Sequence, residues 1–256
     1  MESNPADVRN RVRGTIFPSL CCLCRDTVRS PNDCLCNLCI SNLPWIKNPC
    51  PHCGISFQNN QLCPQCQKYP PPFRRCVAAF EYQHGSIDQL IMAIKTNPSC
   101  PEIKQLSALF AKVIEQTYQS SAMPEIIIPV PLHWRTMLKR GFNQTEAIAI
   151  ALAKHFNSIK VFNNLCLRQS YSSPQHLKTK TQRIKDMHHA FAIRPERHRY
   201  SKKTSLSLPV LENKTVAIVD DVVTTGATSS ALAAVLIDAG VKYVDIWTLA
   251  RTSWHI

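Results

Sequence analysis

The stretch Val216-Ala217-Ile218-Val219-Asp220-Asp221-Val222-Val223-Thr224-Thr225-Gly226-Ala227-Thr228-Ser229 decides the fold. Its first four residues form an unbroken apolar run, as a parallel strand covered on both faces requires. Two carboxylates follow, then a short loop from Thr224 to Thr228. Beyond it Ala231, Leu232, Val235, Leu236 and Ala239 recur at helical spacing, Gly240 ends the helix, and Val244 to Leu249 reads as a second buried strand. Such a strand–loop–helix–strand unit puts the loop at the carboxyl end of a strand and the amino end of a helix, where α/β sheets bind anions. Free backbone N–H groups and the hydroxyls of Thr224, Thr225 and Thr228 can surround a phosphate, and Gly226 lets the backbone come close to it. Ala227 belongs to the same cradle. Adjacent carboxylates would repel one another if buried without partners, so Asp220 and Asp221 make sense as holders of hydroxyls, or of a sugar whose diphosphate carries magnesium. Gly-Lys-Ser/Thr and G-x-G-x-x-G are both absent, which excludes a P-loop and a dinucleotide fingerprint.

Working outward toward the amino terminus, the same sheet gains further elements. Val77 to Tyr82 reads as a strand, and Ile87 to Ile94 as a helix closed by Lys95, a cation that suits the helix dipole. A helix from about Glu102 to Gln119 carries a core stripe of Leu106, Leu109, Phe110, Val113 and Ile114. Ile126 to Pro131 is another buried strand, ended by proline. Directly after it, Arg135, Lys139 and Arg140 lead into Gly141-Phe142-Asn143-Gln144. This reads as a helix-entry loop with Asn143 as the cap and cations at its mouth, and Lys139 and Arg140 are donors that a diphosphate needs.

The first 69 residues are of a different kind. Cys21 and Cys24, Cys36 and Cys39, Cys50 and Cys53, and Cys63 and Cys66 form four Cys-x-x-Cys pairs. Eight thiolates in four pairs suit two tetrahedral zinc sites in ribbon-like knuckles. Cys22 neighbours Cys21, and Cys34 lies two residues before Cys36, so the first site has competing candidates. Cys21 is preferred for its spacing to Cys24. Four sulfur ligands leave no open position, so these zincs are structural rather than catalytic. Cys76, Cys100 and Cys166 stand alone and read as small buried hydrophobes. Residues 70–76 contain Pro70-Pro71-Pro72, an extended joint to a second domain spanning 77–256.

The Asp220–Thr228 stretch resembles the phosphoribosyl-pyrophosphate (PRPP) signature of type I phosphoribosyltransferases. The resemblance implies that the acidic pair holds the ribose 2′ and 3′ hydroxyls and that the Thr/Gly loop holds the 5′-phosphate. The full order is more specific: four cysteine knuckles, a Pro-Pro-Pro joint, a Pro-Val-Pro strand, Arg140-Gly141-Phe142-Asn143-Gln144, then Asp220 to Thr228. From about Cys21 to Arg251 it closely resembles the ComF family of competence-associated proteins, which includes relatives called GntX. That resemblance implies an α/β fold of type I phosphoribosyltransferase kind, a parallel sheet flanked by helices, behind a small four-cysteine zinc-ribbon domain. It also implies a role in natural transformation, handling incoming single-stranded DNA in the cytoplasm beside a helicase-like partner. Arg168, Gln175 and Arg183 match the family pattern, whereas Asp186 stands where the family has Asn.

Charge and length bear on the same expectations. The chain has 256 residues and a formal net charge of +13, an excess that favours a polyanionic partner, nucleic acid first. Lys178, Lys180, Arg183 and Lys185 are placed to serve a flap over the pocket or a phosphate track. Arg197, Arg199, Lys202 and Lys203, with Tyr200 for stacking, lie in a polar stretch without periodicity that reads as a flexible loop. No run of about 18 apolar residues exists, so no membrane insertion is expected, and the amino terminus has no apolar signal region, which makes the cytoplasm the default. Three functions are compatible with these residues: a DNA-handling competence factor with a PRPP pocket, a working PRPP-dependent transferase with an unidentified acceptor, and a zinc-dependent adaptor.

Overall fold

The computed structural model describes residues 19–30, 33–58, 61–82, 85–168, 190–194 and 211–253. In chain order the elements are α1 (Asn37–Ser41), α2 (Pro64–Lys68), β1 (Arg75–Glu81), α3 (Ser86–Thr96), α4 (Pro101–Thr117), β2 (Ile126–Pro129), α5 (Trp134–Arg140), α6 (Gln144–Phe156), β3 (Lys160–Val161), β4 (Cys166–Arg168), β5 (Phe191–Ile193), β6 (Thr215–Val223), α7 (Ala227–Asp238) and β7 (Tyr243–Arg251). Five strands form one parallel sheet in the order β1-β7-β6-β2-β3. β4 and β5 pair antiparallel beside it. The strands and long helices agree with the sequence pattern, but β1 starts two residues earlier than expected. The residues after β2 form a further helix, α5, which ends where the helix-entry loop from Arg140 to Gln144 begins.

The sheet is covered on both faces, and strand periodicity decides which side chain goes where. Ala217 and Val219 of β6 join Ile127, Trp247 and Leu249 under α3, α4 and α6, whose Ile91, Ile94, Phe110 and Leu152 are fully buried. Val216 and Ile218 point the other way, onto Leu232 and Leu236 of α7. A strand buried on both sides must be apolar at every position, which is why β6 reads as a continuous run. The same alternation continues into the acidic pair, so Asp221 emerges on the α3/α6 side and Asp220 on the α7 side.

β1 is the sheet edge, and the chain before it covers that edge. Ile46 donates its N–H to Ala79 O at 2.9 Å and Glu81 donates to Pro44 O at 2.7 Å. Trp45 packs on Phe80 with ring centroids 4.6 Å apart and planes tilted by 51°. An uncovered edge would offer unpaired backbone groups to other chains. Next to it, Arg74 grips the fully buried Asp245 through two hydrogen bonds, at 2.9 and 2.5 Å. Asp245 also accepts from the Tyr118 hydroxyl at 2.5 Å, and Trp247 Nε1 donates to that hydroxyl at 3.1 Å. A buried carboxylate is tolerated only with such a set of donors. Among the described residues no helix is long and apolar enough to cross a membrane.

Candidate functional site

Asp220 and Asp221 close the buried part of β6 and are themselves 9% and 6% exposed. Their surroundings differ because they face opposite sides of the sheet. Asp221 meets Lys95 Nζ at 3.2 Å, from the last turn of α3, and accepts from Gln144 Nε2 at 3.3 Å. Gln144 in turn accepts from Arg140 Nη1 at 2.6 Å. Arg140, Gln144, Asp221 and Lys95 thus form one chain of polar contacts that links α5, α6, β6 and α3. Asp220 accepts the N–H of Asp221 at 2.9 Å. Burial, with the neighbouring Asp221 charge added, pushes the Asp220 carboxyl well above the usual carboxylate range.

The loop that follows supplies the donor side. Gly226 is the N-cap residue of α7 with φ +78°, a left-handed conformation, and itself has no side chain to cap the helix. A Cβ at Gly226 would meet only Val223 Cγ1 at 4.0 Å, so backbone conformation, not crowding, calls for glycine. Thr225 Oγ1 accepts from Ala227 N at 3.3 Å, which bends the loop over the helix start. Thr224 and Thr225 are exposed, and Gly226, Ala227 and Thr228 are half-buried. Thr225 takes one N–H of the first turn, and the start of a twelve-residue helix, beside hydroxyls, can cradle an anion.

On the far side of Asp221, Asn143 caps α6 by accepting from Thr145 N at 3.2 Å, as expected. Its Nδ2 and the Thr145 hydroxyl both donate to Val130 O, at 3.1 and 2.8 Å. Val130 N donates to Val219 O at 2.9 Å, so the Arg-Gly-Phe-Asn-Gln segment is pinned to the carboxyl end of β6. Gly141 ends α5 at φ +81° and reverses the chain there. Arg140 therefore joins the acidic pair through Gln144. Lys139, one residue earlier on α5, is exposed and outside that chain of contacts.

Sequence reasoning misses three participants. Lys95 reads as a dipole cap, yet it pairs with Asp221. The signal is in the spacing, since Ile87, Ile91 and Lys95 share one helical stripe and a cation ending an apolar stripe points inward. Arg251, 2% exposed, ends β7 and donates from Nε to Cys53 O at 2.9 Å, from Nη1 to Val223 O at 3.0 Å, and also to Thr224 O. It ties the Thr/Gly loop to the cysteine-rich segment. Ser229, in the first turn of α7, is 1% exposed, and its Oγ has no hydrogen-bond partner among the described residues.

The eight paired cysteines converge into two sets. Cys21, Cys24, Cys36 and Cys39 bring their sulfur atoms within 4.8 Å of one another, and so do Cys50, Cys53, Cys63 and Cys66. Each set uses the same local design. Cys21 N donates to Asp26 O and Arg25 N to Cys21 O, as Cys50 N does to Ile55 O and Gly54 N to Cys50 O. Cys36 and Cys63 then begin the short helices α1 and α2. Backbone donors also point at sulfur: Cys39 N to Cys36 Sγ and Cys63 N to Cys50 Sγ, both at 3.4 Å. Against the opposing effect of burial, N–H groups of Cys24 and Cys36 lower the Cys21 thiol to about 6, and those of Cys53 and Cys63 lower Cys50 to about 7. Burial raises Cys39, Cys53 and Cys66, so one thiol in each set is favoured as thiolate and the crowded neighbours need a cation to follow it. Four sulfurs this close fit tetrahedral zinc, and each set could hold one ion. Cys21, not Cys22, belongs to the first set. Cys76, Cys100 and Cys166 are buried, as expected. Lys178, Lys180, Arg183, Lys185, Arg197, Arg199, Lys202 and Lys203, with Gln175, Asp186 and Tyr200, lie outside the described residues.

An α/β protein with an acidic pair and a Thr/Gly loop at the carboxyl end of a central strand, behind two tetracysteine sets, has known counterparts. No family model matches the chain. It is 30% identical over 238 residues to the DNA utilization protein YhgH of Escherichia coli O157:H7, covering 92% of this chain and 98% of that one. It is 27% identical over 242 residues to Competence protein F of Haemophilus influenzae, with the same coverage. Among solved structures it is similar to the purine phosphoribosyltransferase of Pyrococcus horikoshii, at 17% identity and a TM-score of 0.33, over 59% of this chain and 82% of that one. The chain belongs to the ComF/GntX family of competence and DNA-utilization proteins.

Proposed function

We propose that this protein is a competence factor that binds PRPP with magnesium at the carboxyl end of β6 and handles single-stranded DNA in the cytoplasm. The observation that carries the pocket is the meeting of the Asp220–Asp221 pair, whose Asp221 is partnered by Lys95 and Gln144, with the Thr/Gly loop at the start of α7. In this reading the two carboxylates take the ribose hydroxyls, which are good donors to buried acceptors. Thr224 to Thr228 and the first N–H groups of α7 take the 5′-phosphate. Arg140 and Lys139 take the diphosphate, whose charge the magnesium shares. The two cysteine sets hold structural zinc. The DNA role is supported by the names of the relatives and by the +13 charge. Lys178 to Lys185 and Arg197 to Lys203 are the candidate track, and a helicase-like protein is the candidate partner.

The test is calorimetric titration of Mg–PRPP into the zinc-loaded protein beside an Asp220→Asn/Asp221→Asn double variant. Saturable binding to the wild type that disappears in the variant supports the pocket. A folded wild type that takes up no heat overturns it. Single-stranded DNA binding is checked separately by its salt dependence, where loss of affinity with rising salt is the electrostatic signature.

A further inference from the structure

Two cysteines remain beside the first tetracysteine set. Cys22 and Cys34 are held together by the Cys22 N–H donating to Cys34 O at 2.8 Å. Cys34 is 5% exposed and Cys22 half-buried. Gln105 of α4 accepts from Cys34 N at 2.7 Å and from Leu35 N at 3.2 Å, which docks this segment on the sheet-bearing part of the chain. One turn earlier on α4, Glu102 brings a carboxylate oxygen within 4.8 Å of both sulfurs. Donor atoms around a tetrahedral zinc ion lie about 3.5 to 3.8 Å apart, given metal–sulfur bonds of about 2.3 Å, so a small adjustment closes this set on an ion. The first set is complete without them, as Cys21, Cys24, Cys36 and Cys39 supply four sulfurs.

We propose that Cys22, Cys34 and Glu102 form a third cation site, which takes one divalent ion of the zinc class. Two thiolates and one carboxylate are a borderline-soft donor set that selects zinc over magnesium or calcium. Three protein ligands leave the fourth position to water or to an exogenous ligand, unlike the two closed tetracysteine sets. The site also differs in what it joins. Its sulfurs come from the cysteine-rich segment and its oxygen from α4, so the ion clamps the first knuckle onto the helix that Gln105 already holds.

The full-length protein is stripped of loosely held metal, reloaded with zinc under reducing conditions, and weighed by native mass spectrometry alongside elemental analysis. The expected result is three equivalents in the wild type and two in Cys34→Ser and in Glu102→Gln. Cobalt substitution adds a second reading, since the ion lost from Glu102→Gln should carry a spectrum with fewer thiolate charge-transfer bands than the two that remain. Glu102 is half-buried at a helix start, so its variant keeps the test valid if Cys34→Ser fails to fold. A wild type that saturates at two ions overturns the proposal. So does a third ion that persists in both variants, or a Cys22–Cys34 disulfide that survives the reducing conditions.

Discussion

The two tetracysteine sets are built alike and placed differently. In each, a turn after the second cysteine leaves the next residue in the left-handed region: Arg25 at φ +65° in the first set and Gly54 at φ +71° in the second. Arg25 is exposed. At Gly54 a Cβ would come within 2.7 Å of Cys76 O, because the second set is pressed against β1. Cys24 of the first set is exposed, while all four cysteines of the second are buried. The first set docks through Gln105 on α4, and the second touches the Thr/Gly loop through Arg251. One local motif thus has two uses, and contact with the sheet, not the motif, decides which residue can follow the second cysteine.

The strongest way to break this comparison is to remove a ligand from each set. Cys63→Ser is expected to release one ion, lower the melting temperature by on the order of 10 °C, and abolish Mg–PRPP binding, because the support of the loop through Cys53 is lost. Cys39→Ser is expected to release one ion with a smaller loss of PRPP affinity. Equal losses in calorimetry would show that the two sets are equivalent. Arg251→Ala comes next. It strands the carbonyl of Cys53 and removes one of the two donors to Val223 O, which keeps the Thr252 N–H, at a cost of about 1–3 kcal/mol in urea unfolding, and should weaken PRPP binding about tenfold or more. Gly54→Ala should cost about 1–3 kcal/mol through the clash with Cys76 O, whereas Arg25→Gly should change stability by only a few tenths.

The acidic pair gives an effect of the opposite sign. The folded Asp220 carboxyl titrates above its unfolded value, so its contribution to stability is full below about pH 4 and is lost as pH rises toward its folded pKa. Asp220→Asn removes that loss. The variant should melt a few degrees higher than wild type at pH 7, with the difference vanishing near pH 4, while PRPP binding falls. A wild type that is the more stable at pH 7 would contradict the burial of this carboxyl as a stored cost of the site.

Much of this is legible because local sequence carries it. The apolar run before Asp220 demands a two-sided strand, and the Cys-x-x-Cys spacings demand metal geometry, since both are set within a few residues. Gly226 and Asn143 announce a loop turning into a helix, and both stand at helix starts. What the tertiary structure decided were the partnerships across distance. Lys95 reaches Asp221 because α3 ends over the carboxyl end of β6, and Arg251 reaches Cys53 because β7 lies between β1 and β6 in the sheet. Cys22 separates from Cys21 only when the chain folds, one sulfur joining the first tetracysteine set and its neighbour turning toward Cys34 and Glu102. Adjacent residues that diverge, and distant ones that converge, depend on strand order and helix docking. Those are fixed by which apolar faces can be buried together, and no single window of sequence contains that choice.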